Sequence, residues 1–333
     1  MRQAVARSQQ RTDDTPKDEC YALAVDLGGT WLRAGLVTAN GVLVAQQRIA
    51  TPDGGRPGPV LDAIATLLSE LKAALTSSAT VVGVGVAAPG PLDPTTGVVY
   101  SPPNLAEWGV FPLADRLQAV VGLPVCVHND ADLAALGEAH HGAGQGVPVL
   151  VYLTVSTGVG GGIILNGRIF GGSTGLAGEL GHIIVEADSP WRCNAGHHGC
   201  LEALASGTAI ARQAAALRPM TSATEAWTAA AVAQRAKAGE PWAVALWVAA
   251  GRALGLALGG IVNVLDPGRI VLGGGLTAAW DLWFPAVRQA MAEVVMVPER
   301  RAVDVVPSAL GDDAGLVGAG IHAFSDHSPE GDA

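Results

Sequence analysis

Apolar residues follow two rhythms along this chain, and the series restarts midway. Strand-like runs occupy 21–26, 32–38 and 42–50, a helical period covers 59–75, and another strand run follows at 80–87. A stretch rich in Pro and Gly fills 88–111, then helical, strand and helical spacings cover 112–121, 124–128 and 130–141. Strand runs begin again at 149–155 and 161–169, and helical patterns fill 207–217, 223–238 and 240–264. A strand at 269–272 leads into Gly273-Gly274-Gly275 and a helix over 277–294, and a short strand at 303–306 and an Ala/Gly-rich helix at 313–324 complete the series. A ββ(β)αβα order that repeats with helical insertions predicts two stacked α/β halves with a cleft between them. Residues 20–130, joined by about 312–324, are expected to form a smaller N-terminal domain, and 131–311 a larger one, with the border in the region 128–148. The polar ends, 1–19 and 325–333, are expected to be disordered tails.

Composition narrows the function classes. With 49% hydrophobic and only 15% charged residues in 333, the chain is long enough for a large packed core. A net charge of −10, with 20 scattered basic residues, argues against a nucleic-acid surface. The first 20 residues lack the apolar segment of a signal peptide. Ala243 to Leu265 has the length of a membrane span, but Arg252 near its middle and Gly251, Gly255, Gly259 and Gly260 favour a core or interface helix. Four cysteines, two of them close together, are no secreted disulfide framework, so the cytoplasm is the expected compartment and no membrane partner is expected.

Two glycine-rich turns carry the first chemistry. Asp26-Leu27-Gly28-Gly29-Thr30 and Ser156-Thr157-Gly158-Val159-Gly160-Gly161-Gly162 each follow a buried strand and precede another. Glycines at positive φ would expose amides there as an anion site, with a Thr hydroxyl adding a donor. Two such turns suggest related half-folds gripping one polyphosphate, hence phosphoryl transfer. Asp26 stands where a carboxylate near phosphates needs an intervening cation, and hydrated Mg²⁺ fits that role; capping of the turn is the alternative. Arg33 is open between a phosphate and a carboxylate partner.

His128-Asn129-Asp130-Ala131-Asp132 joins a strand to a helix. Asp130 there is a candidate base on a sugar hydroxyl and Asn129 a sugar contact, although the segment alone reads more readily as a helix cap. Glu179-Leu180-Gly181-His182 and the run Cys193 to Glu202 form a third group. Two Cys and up to three His within it have metal-ligand density and suggest structural Zn²⁺. Glu179 and Glu202 flank it as candidate sugar contacts, with a solvated surface charge the equal alternative for either. Cys20 and Cys126 read as apolar fillers. Gly273-Gly274-Gly275 suits either the close approach of a flat group such as adenosine or a tight packing turn.

Together Asp26–Thr30, Pro89-Gly90-Pro91-Leu92-Asp93, Asn129-Asp130, Thr157–Gly162, Gly178–His182, Gly199-Cys200-Leu201-Glu202 and Gly273–Gly275 resemble, in order and spacing, the ROK family of bacterial sugar kinases, repressors and related proteins, over about residues 21–324. The resemblance implies the α/β, two-domain hexokinase/actin-like (ribonuclease H-like) fold. It implies phosphorylation of a hexose, most simply glucose, by ATP and Mg²⁺; N-acetylmannosamine or another hexose is the alternative substrate, and polyphosphate an alternative donor. It makes Asp130 the base and Asn104, Asn129, Asp130, Glu179, His182 and Glu202 the sugar contacts. Asp26 would hold Mg²⁺, Gly28, Gly29, Thr30, Thr157 and Gly158 would hold phosphates, and Gly274 would lie at the adenosine loop. His182 would face zinc with one ring nitrogen and sugar with the other. A homodimer is implied as well.

Two positions depart from the family pattern. Ala195 replaces a usual cysteine of the zinc loop, so the ligand set becomes His182, Cys193, Cys200 and His198, with His197 possible in its place. Asp132 stands where Asn is common, either raising the pKa of the base or pointing to solvent. Only 25 residues precede Asp26, too few for the helix-turn-helix domain of a repressor; a sugar sensor without turnover is the remaining rival.

Overall fold

The computed structural model describes residues 20–102, 105–218 and 226–327. The elements in order are β1 (Cys20–Leu27), β2 (Trp31–Thr38), β3 (Leu43–Ala50), α1 (Pro57–Ala73), β4 (Thr80–Ala88), β5 (Leu92–Asp93), β6 (Val98–Tyr100), β7 (Val110–Pro112), α2 (Leu113–Val121), β8 (Val125–Asn129) and α3 (Asp130–His141). There follow β9 (Val149–Val155), β10 (Val159–Leu165), β11 (Arg168–Ile169), α4 (Leu201–Ala205), α5 (Gly207–Leu217), α6 (Ala229–Lys237), α7 (Pro241–Leu265), β12 (Arg269–Gly273), α8 (Trp280–Val294), β13 (Asp304–Pro307) and α9 (Ala314–His327).

Two five-stranded sheets share one plan, β3-β2-β1-β4-β8 and β11-β10-β9-β12-β13. In the first, β1 pairs antiparallel with β2 and parallel with β4. In the second, β9 pairs antiparallel with β10 and parallel with β12. The sequence dictates which strand is central. Tyr21 to Val25 is apolar on both faces and buried throughout, as a strand covered on two sides requires. Leu43–Ala50 instead alternates in exposure and forms an edge.

The chain divides into two compact units. One comprises Met1–Gly146, Gly167–Ala177 and Ala309–Ala333, the other Val147–Asn166 and Gly178–Ser308. Helix α3 therefore falls in the first unit, and the border lies at the far end of the 128–148 range read from the sequence. Close packing between α3 and α9 is the reason. A Cβ on Gly318 would lie 1.7 Å from the Leu133 carbonyl oxygen, and one on Gly137 would lie 2.5 Å from that of Ala314. Gly85 on β4 meets Ala319 of α9 in the same way, at 1.9 Å. The fully buried Glu138 carboxylate extends this anchoring by accepting the amides of Ala143 (2.7 Å) and Leu310 (2.8 Å).

The second unit is built around α7. Its window of highest hydropathy averages 1.7, enough by length and composition for a membrane span, yet 61% of that window is buried inside the protein. The glycines seen in the sequence explain the packing. Cβ atoms on Gly251 and Gly255 would fall 2.4 Å from the carbonyl oxygens of Trp283 and Val287, so α8 lies directly on this stripe. Arg252 is exposed and pairs with Glu293 of α8 at 2.8 Å.

Three local expectations change. The Pro/Gly stretch 88–111 contains a small antiparallel sheet, β5-β6-β7. Helix α6 starts at Ala229 because the Thr228 hydroxyl accepts the Ala231 amide as an N-cap; residues 223–225 lie outside the described residues. Gly160, Gly161 and Gly162 belong to β10, so the second turn is only Ser156–Gly158. The tight contact of a would-be Gly161 Cβ with Leu180, 2.7 Å, accounts for one of these strand glycines.

Candidate active site

The two glycine turns occupy equivalent places, each between the first two strands of its sheet. In the first, the Gly28 amide donates to the Trp31 carbonyl at 2.9 Å, and Thr51 fixes the turn through its hydroxyl to the Gly28 oxygen (2.6 Å) and its amide to the Thr30 oxygen (2.9 Å). In the second, the Ser156 amide donates to Gly158 O (2.9 Å), while the Gly207 amide meets Ser156 O (2.7 Å) and the Thr208 hydroxyl meets Thr157 O (2.9 Å). Among the described residues, no acceptor meets the amides of Gly29, Thr30, Thr157 or Gly158. Each turn thus keeps two spare donors beside a Thr hydroxyl, the composition of an anion-binding nest.

Positive φ is not the reason for these glycines; neither Gly28 nor Gly158 adopts it. Space is. A Cβ on Gly28 would sit 3.0 Å from the Trp31 oxygen, and one on Gly158 2.6 Å from Glu202 Oε2. Gly274, by contrast, has φ 86°, and a Cβ there would lie 2.5 Å from the Val155 oxygen.

Arg33 takes the carboxylate partner. Its guanidinium pairs with Asp26 Oδ2 and also donates to the Asp312 carbonyl. Burial raises the Asp26 pKa above the ordinary carboxylate value, and Arg33 opposes the shift. One carboxylate oxygen is thereby held, and Oδ1 is the one left to a cation.

At the start of α3, Asn129 is the N-cap, with Oδ1 accepting the amides of Ala131 (2.9 Å) and Asp132 (3.3 Å). Its Nδ2 faces Gly90, where a Cβ would come within 3.2 Å. Asp130 is exposed at the first helical position and accepts the Ala131 amide at 2.8 Å. Capping and substrate contact are compatible, since the cap uses only the oxygen of Asn129. Asp132 does not point to solvent. It is 3% exposed, its Oδ2 lies 3.4 Å from His128 Nδ1, and Oδ1 has no partner among the described residues. Burial raises its pKa, with His128 opposing. Asn104 lies outside the described residues.

The cysteine–histidine group assembles in part. His182 Nδ1, Cys193 Sγ and His197 Nδ1 all lie within 4.8 Å of one another. The Sγ to His182 distance is 3.8 Å and the His–His distance 3.4 Å. A tetrahedral zinc ion with ordinary bond lengths separates its ligands by about 3.3–3.7 Å, so the three atoms fit zinc. His198 is not among them. It turns away, and its Nδ1 lies 3.1 Å from the Ser189 carbonyl oxygen, which leaves His197 as the histidine at the site. Cys200 also falls outside the triad. It is fully buried beside Cys193, and burial together with that thiol pushes its pKa up to about 11. His182 Nε2 faces the other way, 3.8 Å from Glu179 Oε2. Glu202 accepts the Val159 amide at 3.1 Å.

Several supporting residues escaped the sequence reading. Arg212 on α5 donates to the carbonyls of Arg192 (2.5 Å) and Ala203 (3.0 Å), staking the loop that carries Cys193. Thr51 and Thr208 stake the two turns. Nothing in their local sequence marks these residues, because each acts on a segment 9 to 51 positions away.

The paired sheets, with an amide-lined turn after the first strand of each, define the two-domain hexokinase/actin-like (ribonuclease H-like) fold. The sequence profile of the ROK family matches residues 22–324. A glucokinase of Halalkalibacterium halodurans is 36% identical over 90% of this chain and 94% of its own. An N-acetylmannosamine kinase of Yersinia pseudotuberculosis is 33% identical over 90% and 97%. The crystal structure of a ROK family glucokinase from Streptomyces griseus, in complex with glucose and AMPPNP, superposes with a TM-score of 0.76 at 33% identity, covering 90% of this chain and 98% of that one. The chain belongs to the ROK family.

Proposed function

We propose that this protein is a sugar kinase that transfers the γ-phosphoryl group of ATP to glucose, giving glucose 6-phosphate. The observation that carries the reading is the duplicated turn, whose spare amides at Gly29, Thr30, Thr157 and Gly158 are donors suited to phosphates. Likeness to glucokinases over nine-tenths of both chains supports glucose as the substrate.

In this reading Asp130 accepts the proton of the sugar hydroxyl. The hydroxyl oxygen bonds to the γ-phosphorus, and the bond to the bridging oxygen breaks to release ADP. Asn104, Asn129, Glu179, His182 and Glu202 orient the sugar, and Gly274 gives the adenosine its approach. Asp26 Oδ1 is assigned to Mg²⁺, which when bound would neutralise phosphate charge. Zinc is assigned to His182, Cys193 and His197, with Cys200 adjacent; when bound it would fix the His182 tautomer and leave Nε2 for the sugar. The cytoplasm and a homodimer are the proposed setting.

A coupled ADP-release assay with ATP, Mg²⁺ and a panel of hexoses and N-acetylhexosamines tests the reading. Turnover with glucose far above the others is expected. Turnover with N-acetylmannosamine would keep the mechanism and change the substrate. A folded protein that turns over no sugar would overturn the kinase assignment in favour of a sensor.

A further inference from the structure

The second turn is fastened from the start of α5 and from α4, and one of these contacts is made by a carboxylate. The amides of Gly207 and Thr208, at the start of α5, donate to the carbonyls of Ser156 and Thr157 at 2.7 and 3.3 Å. The Thr208 hydroxyl adds a bond to the Thr157 oxygen at 2.9 Å. The fourth contact is made by the Glu202 carboxylate, which accepts the Val159 amide at 3.1 Å. Ser206 joins the two helices, ending α4 and capping α5 with its hydroxyl on the Ala209 amide at 3.0 Å. Glu202 is therefore carried on a short rigid frame.

Val159 is gripped on its other side too. A Cβ on Gly181 would fall 2.0 Å from the Val159 carbonyl oxygen, so the turn Leu180–His182 rests directly on this peptide group. That segment carries Glu179 and His182. Its next residue, Ile183, accepts the Leu201 amide at 2.9 Å, one position before Glu202. The residues assigned to the sugar thus meet the chain where the phosphate turn enters β10, with Glu202 on the Val159 amide and close to Gly158, and Gly181 against the Val159 oxygen.

We infer that Glu202 is a positioning residue for the nucleotide as well as a sugar contact: by holding the Val159 amide it couples sugar occupancy to the order of the Thr157–Gly158 amides. A carboxylate free to rotate holds that amide part of the time. A sugar hydroxyl on its second oxygen pins the side chain, and the turn is then preset for a triphosphate. The coupling is reciprocal by linkage, so a nucleotide tightens sugar binding by the same factor. This inference rests on the kinase reading proposed above.

The test is calorimetric titration of the full-length protein with AMPPNP and Mg²⁺, with and without saturating glucose, in the wild type, Glu202→Ala and Glu202→Gln. Glucose is expected to tighten AMPPNP binding about tenfold in the wild type, within the ordinary range of allosteric coupling. In Glu202→Ala the factor falls below about twofold, while AMPPNP affinity without sugar changes less. Glu202→Gln keeps an amide oxygen for Val159 and retains part of the coupling, which a purely steric role of the side chain predicts for neither quantity. A wild-type factor preserved in Glu202→Ala at saturating glucose overturns the inference. Should Glu202→Ala bind no glucose, Glu202→Gln decides, and coupling equal to the wild type overturns it. Both ligands binding the wild type without any coupling also overturns it and leaves the kinase reading intact. Binding of neither ligand overturns the kinase reading, and this inference with it.

Discussion

Replacing Asp132 by Asn should stabilise the protein, and more so as the pH rises. The side chain is 3% exposed, and its Oδ1 has no partner among the described residues. On the other side, Oδ2 lies 3.4 Å from His128 Nδ1, but that nitrogen already accepts the Asn129 amide at 2.9 Å. A lone pair directed at the amide has no proton to give a carboxylate. The charged carboxylate therefore gains no hydrogen bond from this nitrogen, which agrees with the upward shift that burial imposes. A carboxyl with a raised folded-state pKa binds more protons folded than unfolded. Its contribution is fully present below the ordinary carboxylate value of 3.8 and is lost as the pH climbs through the raised value. Within that window wild-type stability falls by up to about 1.4 kcal/mol per pH unit from this group, and the Asn variant escapes the loss. At about 2–4 °C per kcal/mol, the melting temperatures should diverge by roughly 3–6 °C per unit across the window. Thermal unfolding followed by circular dichroism at a series of pH values from 4 to 8.5 reads this directly. A gain that is the same at both ends of the series, or a loss throughout, would refute the reasoning, because then the carboxyl is not charged against its surroundings.

Other perturbations separate roles that the geometry distinguishes. Asp130→Asn should reduce kcat by at least about 100-fold, the low end of general-base contributions, with an unchanged melting curve; near-normal turnover would remove Asp130 from the chemistry. His197→Ala should lose zinc by elemental analysis after mild chelation, whereas His198→Ala, which gives up only the contact to Ser189 O, should retain it. The reverse outcome would exchange the two histidines. Gly318→Ala places a methyl 1.7 Å from the Leu133 oxygen, so α3 and α9 must part. A cost of about 1–3 kcal/mol or more in urea unfolding is expected, and an unperturbed variant would show that this helix contact is not tight.

The parts of the fold legible in the sequence were those dictated by neighbours along the chain. Tyr21–Val25 and Val149–Val155 announce buried strands because burial on both faces demands an unbroken apolar run. The turns that follow them were visible for the same reason. What the turn glycines do was not visible: a sequence shows that a Cβ is missing, and only the folded chain shows that Gly158 avoids Glu202 and Gly28 avoids the Trp31 oxygen. The side of the domain border on which α3 falls was hidden for the same reason. Its partner α9 lies more than 170 residues away, and nothing near residue 130 reveals that Gly137 and Gly318 let the two backbones touch.

The zinc loop shows how far local pattern carries a site. Cysteine and histidine density marked the group, and the absence of a thiol at Ala195 directed attention to the adjacent histidines. Choosing between His197 and His198 required the path of the chain. A bridge pairs Arg192 with His198, and the His198 ring is committed to the Ser189 oxygen. In such a pairing the preceding residue presents its side chain to the opposite face, and His197 is accordingly the one that meets His182 and Cys193. The two adjacent histidines are thus not interchangeable: alternation along an extended segment brings His197 to His182 and Cys193 and gives His198 a bond to the Ser189 oxygen.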